Sequence, residues 1–213
     1  MYLLDKSIGF PNPSEADEEG LLAVGGDLSS ERLLLAYQSG IFPWYDDLQP
    51  ILWWSPDPRM VLFPSKLKIS KSLLKTIKSK KFSITFNKNF SEVIKNCSTI
   101  KRGGQAGTWI TLEMNKAYIQ LHHLGHAQSV EVWQQDELVG GLYGINLPKQ
   151  KIFCGESMFS IQTDASKVGF YYLVQLLKKK NYQLIDCQMY TSHLESLGAE
   201  EITRSKFLQY LNS

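Results

Sequence analysis

The chain has 213 residues, 43% of them hydrophobic, with 15 Gly, 8 Pro and a net charge of +2. That length carries one full core and a smaller lobe, and the composition excludes low-complexity and repeat architectures. No run of 18 apolar residues occurs and Met1–Lys6 lacks a basic-then-apolar leader pattern, so neither a membrane span nor a signal peptide is expected.

In chain order, Gly20–Asp27 reads as a short strand running into a tight turn. Ser29 is positioned to cap a helix that Gly40 stops near Ser39, with Glu31 in its first turn. The aromatic segments Phe42-Pro43-Trp44-Tyr45 and Ile51–Arg59 follow. Pro56 and Pro58 keep the second of these out of a helix, and a lobe boundary is expected near Pro58. Ser70–Lys80 predicts a helix with Leu73, Leu74 and Ile77 on one side and lysines on the other. Phe82–Phe86 alternates as a strand, and Asn89 is expected to cap a short helix to about Cys97. Thr99–Gly107 is a glycine-containing loop, read as mobile. Thr111–Leu124 predicts a helix with Met114, Tyr118 and Leu121 on one stripe, closed by Gly125. Three strands come next, Ser129–Gln134, Leu138–Ile145 and Ile152–Phe159. Asp164 is expected to cap a helix to Lys180, Tyr182–Gln188 is a further strand, and Arg204–Leu211 a last helix. The order is that of an α+β fold.

Charge is segregated along the chain. Residues 1–57 hold ten acids and two bases, whereas residues 58–91 hold nine bases and no acid, among them Lys66, Lys68, Lys71, Lys75, Lys78, Lys80 and Lys81. Such a stretch suits a polyanion, and it equally suits a solvated helix face. Cys97, Cys154 and Cys187 are odd in number, widely spaced and set in apolar contexts. They read as buried thiols of a reducing cytoplasm.

Two carboxylates sit in apolar strands, Asp186 in Leu184–Gln188 and Glu156 in Phe153–Ser160. A buried carboxylate needs a partner or a shifted pKa. Strand alternation predicts Asp186 and Gln188 on the same face, a proton acceptor beside a neutral amide. A satisfied acid tying down a helix end is the alternative. Other constellations are weaker. His122 and His126 lack the glutamate of a His-Glu-x-x-His helix and a third ligand, so no metal is expected. Gly155–Phe159 lacks the last glycine of a nucleophile elbow. The turn after Phe159, Ser160–Ser166, has no glycine, which counts against a coenzyme A diphosphate approaching the backbone there. Aromatics beside lysines suit single-stranded nucleic acid, with stacking worth ~1–3 kcal/mol per base.

Taken together, the blocks Gly20–Ser29, Arg32–Tyr45, Pro50–Arg59, Gly107–Thr111, Ser129–Trp133, Leu138–Gly144, Phe153–Ser160, Ala165–Lys167, Leu184–Gln188 and His193–Ala199 resemble the bacterial leucyl/phenylalanyl-tRNA–protein transferases. They occur in that family's order and cover about residues 10–211. The resemblance implies a small N-terminal lobe (1–58) and an acetyltransferase-like C-terminal domain with a mixed sheet (59–213), a cleft opening between two central strands. It implies transfer of Leu or Phe, and Met less well, from aminoacyl-tRNA to the α-amino group of proteins or peptides beginning with Lys or Arg. That marks the product for N-degron degradation, with no cofactor and a monomeric enzyme. It carries roles residue by residue. Trp44 and Trp109 match tryptophans at the terminal adenosine. Tyr37, Tyr118, Leu142, Phe153, Leu173, Leu177 and Ile185 fall on or near the apolar pocket for the aminoacyl side chain. Glu156, Asp186 and Gln188 match the polar residues of the reaction centre. Asp186 is then expected to orient the amine and take its proton, and Glu156 either to pair with the cationic side chain or to hold an amine. The lysines from Lys66 to Lys81 lie where an acceptor stem needs neutralising. Departures are Gln128 in place of a histidine, a longer Asn146–Lys151 turn, and leucines at 142, 173 and 177 where other members carry Met or Phe. A coenzyme-A-dependent acyltransferase and a non-catalytic RNA-binding protein are the competing classes.

Overall fold

The computed structural model describes residues 1–100 and 110–212. The small lobe is a four-stranded sheet in the order β1-β2-β4-β3, formed by β1 (Tyr2–Leu4), β2 (Leu21–Gly25), β3 (Phe42–Pro43) and β4 (Leu52–Trp54). Its one helix, α1 (Ser30–Gln38), is capped by Ser29, whose hydroxyl accepts from the Arg32 amide, as the sequence predicts. The tryptophan indoles brace this sheet. Trp53 Nε1 donates to the Gly25 carbonyl at 2.9 Å and Trp54 Nε1 to the Trp44 carbonyl at 2.7 Å, so both bury area without an orphaned N–H.

The remaining strands form one seven-stranded mixed sheet. In chain order they are β5 (Arg59–Leu62), β6 (Ser83–Phe86), β7 (Ala127–Gln134), β8 (Glu137–Leu147), β9 (Ile152–Ser160), β10 (Leu184–Gln188) and β11 (Glu200–Ile202), arranged β11-β5-β10-β9-β8-β7-β6. Every neighbouring pair is antiparallel except β9 and β10. The helices are α2 (Lys71–Lys78), α3 (Phe90–Thr99), α4 (Leu112–His123), α5 (Ala165–Lys179), α6 (Ser192–Ser196) and α7 (Arg204–Leu211). Adjacent glycines in β8 show how the sheet is covered. A Cβ on Gly140 would meet Ala165 of α5, and one on Gly141 would meet Val93 of α3 and the Phe159 ring. The two residues face opposite sides, so α3 packs one face and α5 the other. The α3 face is continuous with the small lobe. Leu22, Leu33 and Trp53 share one buried cluster with Val93, Met114, Tyr143 and Phe207.

The α+β class and the three-strand meander follow the sequence reading, and several local expectations give way. Neither Asn89 nor Asp164 caps its helix through its side chain. Asp164 adopts a left-handed conformation and accepts from Thr76 Oγ1 at 3.1 Å, and the Asn89 backbone N–H donates to the Glu131 carboxylate. Leu74 lies outside the apolar stripe of α2 and is exposed, while Leu73 is buried. Strands β5 and β11 carry no alternation by which to read them. All four residues of β5 are buried, because both faces of the strand are covered, Val61 by one core cluster and Met60 and Leu62 by another. The loop read as mobile falls at residues 99–107, mostly outside the described residues.

A close approach fixes the meander where β8 bulges against β9. A Cβ on Gly144 would come within 2.2 Å of the Cys154 carbonyl oxygen and 2.6 Å of the Phe153 ring. Backbone cannot yield as a flexible side chain does, so Gly144→Ala is expected to cost about 1–3 kcal/mol or more of unfolding free energy. Gly155→Ala, whose Cβ would meet the Asp186 carbonyl at an ordinary 3.8 Å, should cost far less. Urea denaturation of the two variants checks the difference.

Candidate active site

β9 and β10 run parallel and pair over three residues, Ile152–Cys154 against Leu184–Asp186. Beyond them the strands part. β9 continues to Ser160, whereas β10 slips its register on β5 between Asp186 and Gln188. Gln188 takes a left-handed φ of 59°, so the alternation expected for Asp186 and Gln188 is broken by the irregularity. The two side chains serve different surroundings. Asp186 meets Arg59 and Gln188 meets Glu156.

Arg59 and Asp186 are each 1% exposed. Arg59 Nε donates to Asp186 Oδ1 at 2.8 Å and Nη2 donates to Oδ2 at 2.7 Å, a bidentate pair. Nη1 donates to the Gly40 carbonyl at 3.2 Å, and the guanidinium lies between the Phe42 and Phe207 rings, 4.8 and 4.6 Å from their centroids. The Gln188 amide also donates to Asp186 Oδ1, at 3.0 Å. With both oxygens engaged, Asp186 is tied to Arg59 and to the start of the bulge.

The cleft at the parting of the strands has a volume of about 610 Å³, within the usual range of small-molecule sites. Of the residues expected there, Trp44, Leu142, Phe153, Leu173, Ile185, Glu156 and Gln188 line it. Tyr37, Tyr118, Leu177 and Asp186 do not. They are buried behind the lining. Trp109 lies outside the described residues. The sequence reading missed Phe42, Met158, Phe170, Cys187 and His193 as lining residues, and Arg59 as their support. Phe170 had a legible signal, since it stands one helical turn before Leu173 on the same face. Arg59 had none, because nothing local pairs it with a residue 127 positions away.

One polar wall interrupts the apolar lining. Gln188 Nε2 donates to Glu156 Oε1 at 3.3 Å, and Tyr118 Oη donates to Oε2 at 3.2 Å. Tyr118 and Tyr37 are themselves hydrogen bonded through their hydroxyls. Burial pushes the Glu156 carboxyl up to about 8, partly offset by the two phenols, with Asp186 raising it and Arg59 lowering it. Burial also raises the Cys187 thiol beyond the usual range, which makes it inert as a nucleophile.

A model described as leucyl/phenylalanyl-tRNA protein transferase matches residues 61–212, and its N-terminal domain model matches residues 26–57. The chain belongs to the leucyl/phenylalanyl-tRNA–protein transferase family. A transferase of that name from Flavobacterium johnsoniae is 61% identical over 213 residues, covering 100% of both chains. Another from Christiangramia forsetii is 58% identical over 211 residues, covering 99% of this chain and 100% of the relative. Among solved structures, a GCN5-related N-acetyltransferase from Kribbella flavida has a TM-score of 0.40 at 8% identity, covering 78% of this chain and 58% of that one. As a member of the family the chain is an aminoacyltransferase that works with tRNA and protein. Among the described residues no group of three or more His, Cys, Asp or Glu is placed to hold a metal. No helix there is long and apolar enough to cross a membrane.

The lysines from Lys66 to Lys81 are all exposed. Lys66 is taken up by Glu200 at 2.7 Å. Lys71, Lys75 and Lys78 lie on α2, which packs against α5, the helix that supplies Phe170 and Leu173 to the cleft.

Two predictions follow from this geometry. Arg59→Met strands a buried carboxylate and should lower unfolding free energy by about 3–5 kcal/mol, with much of it recovered in Arg59→Met/Asp186→Leu, where neither charge remains. Urea denaturation of single and double variants tests this. The raised Glu156 pKa sets the second. From the ordinary glutamate value up to about 8 the folded state holds a proton that the unfolded state has lost. Stability is therefore fully present below the unfolded pKa and is lost as pH rises towards 8. Glu156→Gln should remove that part of the pH dependence and raise the melting temperature relative to wild type near pH 8, read by thermal melts across pH.

Proposed function

We propose that the chain transfers Leu or Phe, and Met less readily, from aminoacyl-tRNA to the α-amino group of polypeptides beginning with Lys or Arg, tagging them for degradation by the N-degron route in the cytoplasm. The observation that carries this reading is a cleft with an apolar floor of Leu142, Phe153, Leu173 and Ile185, in which Gln188 and Glu156 are joined as a hydrogen-bonded polar pair. An apolar floor admits Leu, Phe or Met and penalises charged side chains, which would lose hydration. It separates similar apolar shapes weakly, since one methylene is worth ~1–3 kcal/mol. Trp44, half-buried at the cleft edge and hydrogen bonded by its carbonyl to Trp54, offers a stacking face for the terminal adenosine, a role the family resemblance gives to Trp109 as well. The exposed lysines on and beside α2 would meet phosphates, which fix position and carry little sequence information. The 1–58 lobe supplies the Trp44 side of the cleft and the 59–213 domain the rest, in a monomer that requires no cofactor.

In the reaction, the acceptor ammonium gives a proton to the Glu156 carboxylate. The free amine attacks the ester carbonyl, and the carbon–oxygen bond to the ribose breaks. The second amine proton ends on the departing ribose oxygen, leaving an amide. An α-amino group titrates at about 7.7–8.0, close to Glu156 at about 8, so the exchange is nearly isoenergetic. Gln188, whose backbone N–H donates to Asp186 Oδ1, keeps Glu156 oriented through its side-chain amide. Asp186 acts through Gln188 and Arg59 as a positioning residue.

A coenzyme-A-dependent reading is disfavoured by the turn after β9. Ser160 Oγ accepts from the Ser166 backbone N–H at 3.2 Å at the start of α5. A diphosphate there would meet an N–H already engaged.

The test uses tRNA charged with radiolabelled Phe or Leu and an Arg-initiated peptide beside its N-acetylated twin. Label is expected in the free-amine peptide alone. Glu156→Gln should slow transfer by about 10²–10⁴-fold, as for loss of an acid–base group. Asp186→Asn should slow it less. Binding of charged tRNA without transfer would overturn the enzyme reading in favour of an RNA-binding role.

A further inference from the structure

We infer that Tyr37 and Tyr118 form a buried positioning device for Glu156, holding its carboxyl at the cleft wall and governing whether it is free to take a proton when the acceptor amine arrives. This rests on the proposed transfer and adds two residues that the substrate does not touch.

Both phenols are almost completely buried, at 1% and 0% exposure, and neither lines the cleft. A wall of the aminoacyl pocket would need a surface in the cleft, and they present none. Their hydroxyls are instead joined in a chain that ends on the carboxyl. Tyr118 Oη donates to Glu156 Oε2, and a phenol has one proton to give, so the Tyr37–Tyr118 bond must have Tyr37 as its donor. Each bond in such a directed chain polarises the next. The chain begins on α1 in the small lobe, passes through α4, and ends on β9, so three separate elements set the position of one carboxyl.

Donation to a carboxylate favours its charged form, whereas burial favours the protonated form. Burial dominates at Glu156, and the two phenols pull in the opposite direction. Burial and the nearby carboxylate raise both phenols well above their ordinary range, so they stay protonated and remain donors throughout. The other titratable groups around Glu156, among the described residues, are Cys154 on its own strand, Tyr143 on β8, Asp186 on β10 and Arg59 on β5. His193 and Tyr190 lie further along the cleft. Asp186 and Arg59 hold each other in a bidentate pair, which leaves the phenol chain as the adjustable influence.

The experiment compares wild type, Tyr118→Phe and Tyr37→Phe in transfer of Phe from charged tRNA to an Arg-initiated peptide, from about pH 6 to about pH 9. Phenylalanine keeps the ring and its packing and removes only the hydroxyl. The acid limb of kcat/KM should move up by about one pH unit in Tyr118→Phe and by a comparable amount in Tyr37→Phe, since both phenols hold the Glu156 carboxyl down. That is about a tenfold loss at low pH which disappears on the alkaline plateau. The acceptor amine titrates identically in all three and cancels in the comparison. An equal fractional loss at every pH, or an unmoved profile, overturns the inference. A carbon-13 titration of the Glu156 carboxyl in the resting proteins reads the same shift without turnover, with an unmoved midpoint again overturning it. Should Tyr118→Phe fail to fold, Tyr37→Phe carries both readouts. Failure of wild type to transfer at all would sink the proposed function, while the carboxyl titration would still decide the role of the phenols.

Discussion

The guanidinium of Arg59 gathers four parts of the chain at one point. It grips Asp186 of β10 with two hydrogen bonds, reaches the Gly40 carbonyl behind α1, and lies between Phe42 of the small lobe and Phe207 of α7. Both charges are out of water, so neither tolerates the loss of the other. The cleft depends on this pair. By fixing Asp186 it fixes the point at which β10 leaves its register, and that irregularity turns Gln188 towards Glu156 instead of alongside Asp186. A planar bidentate donor with aromatic neighbours on both sides is a role lysine does not fill.

The site divides its two carboxylates by environment. Asp186 has a permanent cation and serves as a fixed anchor. Glu156 has neutral hydrogen-bond partners, the Gln188 amide and the phenols of Tyr118 and Tyr37, and so its burial expresses itself as a raised pKa. In the proposed transfer, two acids in neighbouring strands thereby take separate tasks, one structural and one poised near the pKa of an amine.

The charge segregation of the sequence also finds a physical setting. The lysine-rich segment emerges from β5, the strand that carries Arg59, and forms α2 on the back of α5. The surface suited to a polyanion and the helix that floors the cleft are thus packed against each other, an arrangement suited to an RNA whose end must reach the site.

Much of this was legible in the residues. The meander, α4 and its Met114-Tyr118-Leu121 stripe, the Ser29 cap and the apolar settings of Glu156 and Asp186 all follow from periodicity and local chemistry, which act over a few residues. The family blocks were equally plain, because they are long and rich in Trp, Gly and Pro. What local pattern could not supply was any relation between distant residues. Period-two alternation placed Asp186 and Gln188 on one face, and a single irregularity at Gln188 undid it. Burial on both sides hid β5, since a central strand shows no alternation. The partnership of Arg59 with Asp186, the withdrawal of Tyr37 and Tyr118 behind the cleft, and the poise of Glu156 arise only where strands and helices remote in sequence are packed together. The sequence determined which chemical groups were present and which elements carried them. Tertiary structure decided which of those groups would be paired, which would face the cleft, and which would be left able to exchange a proton.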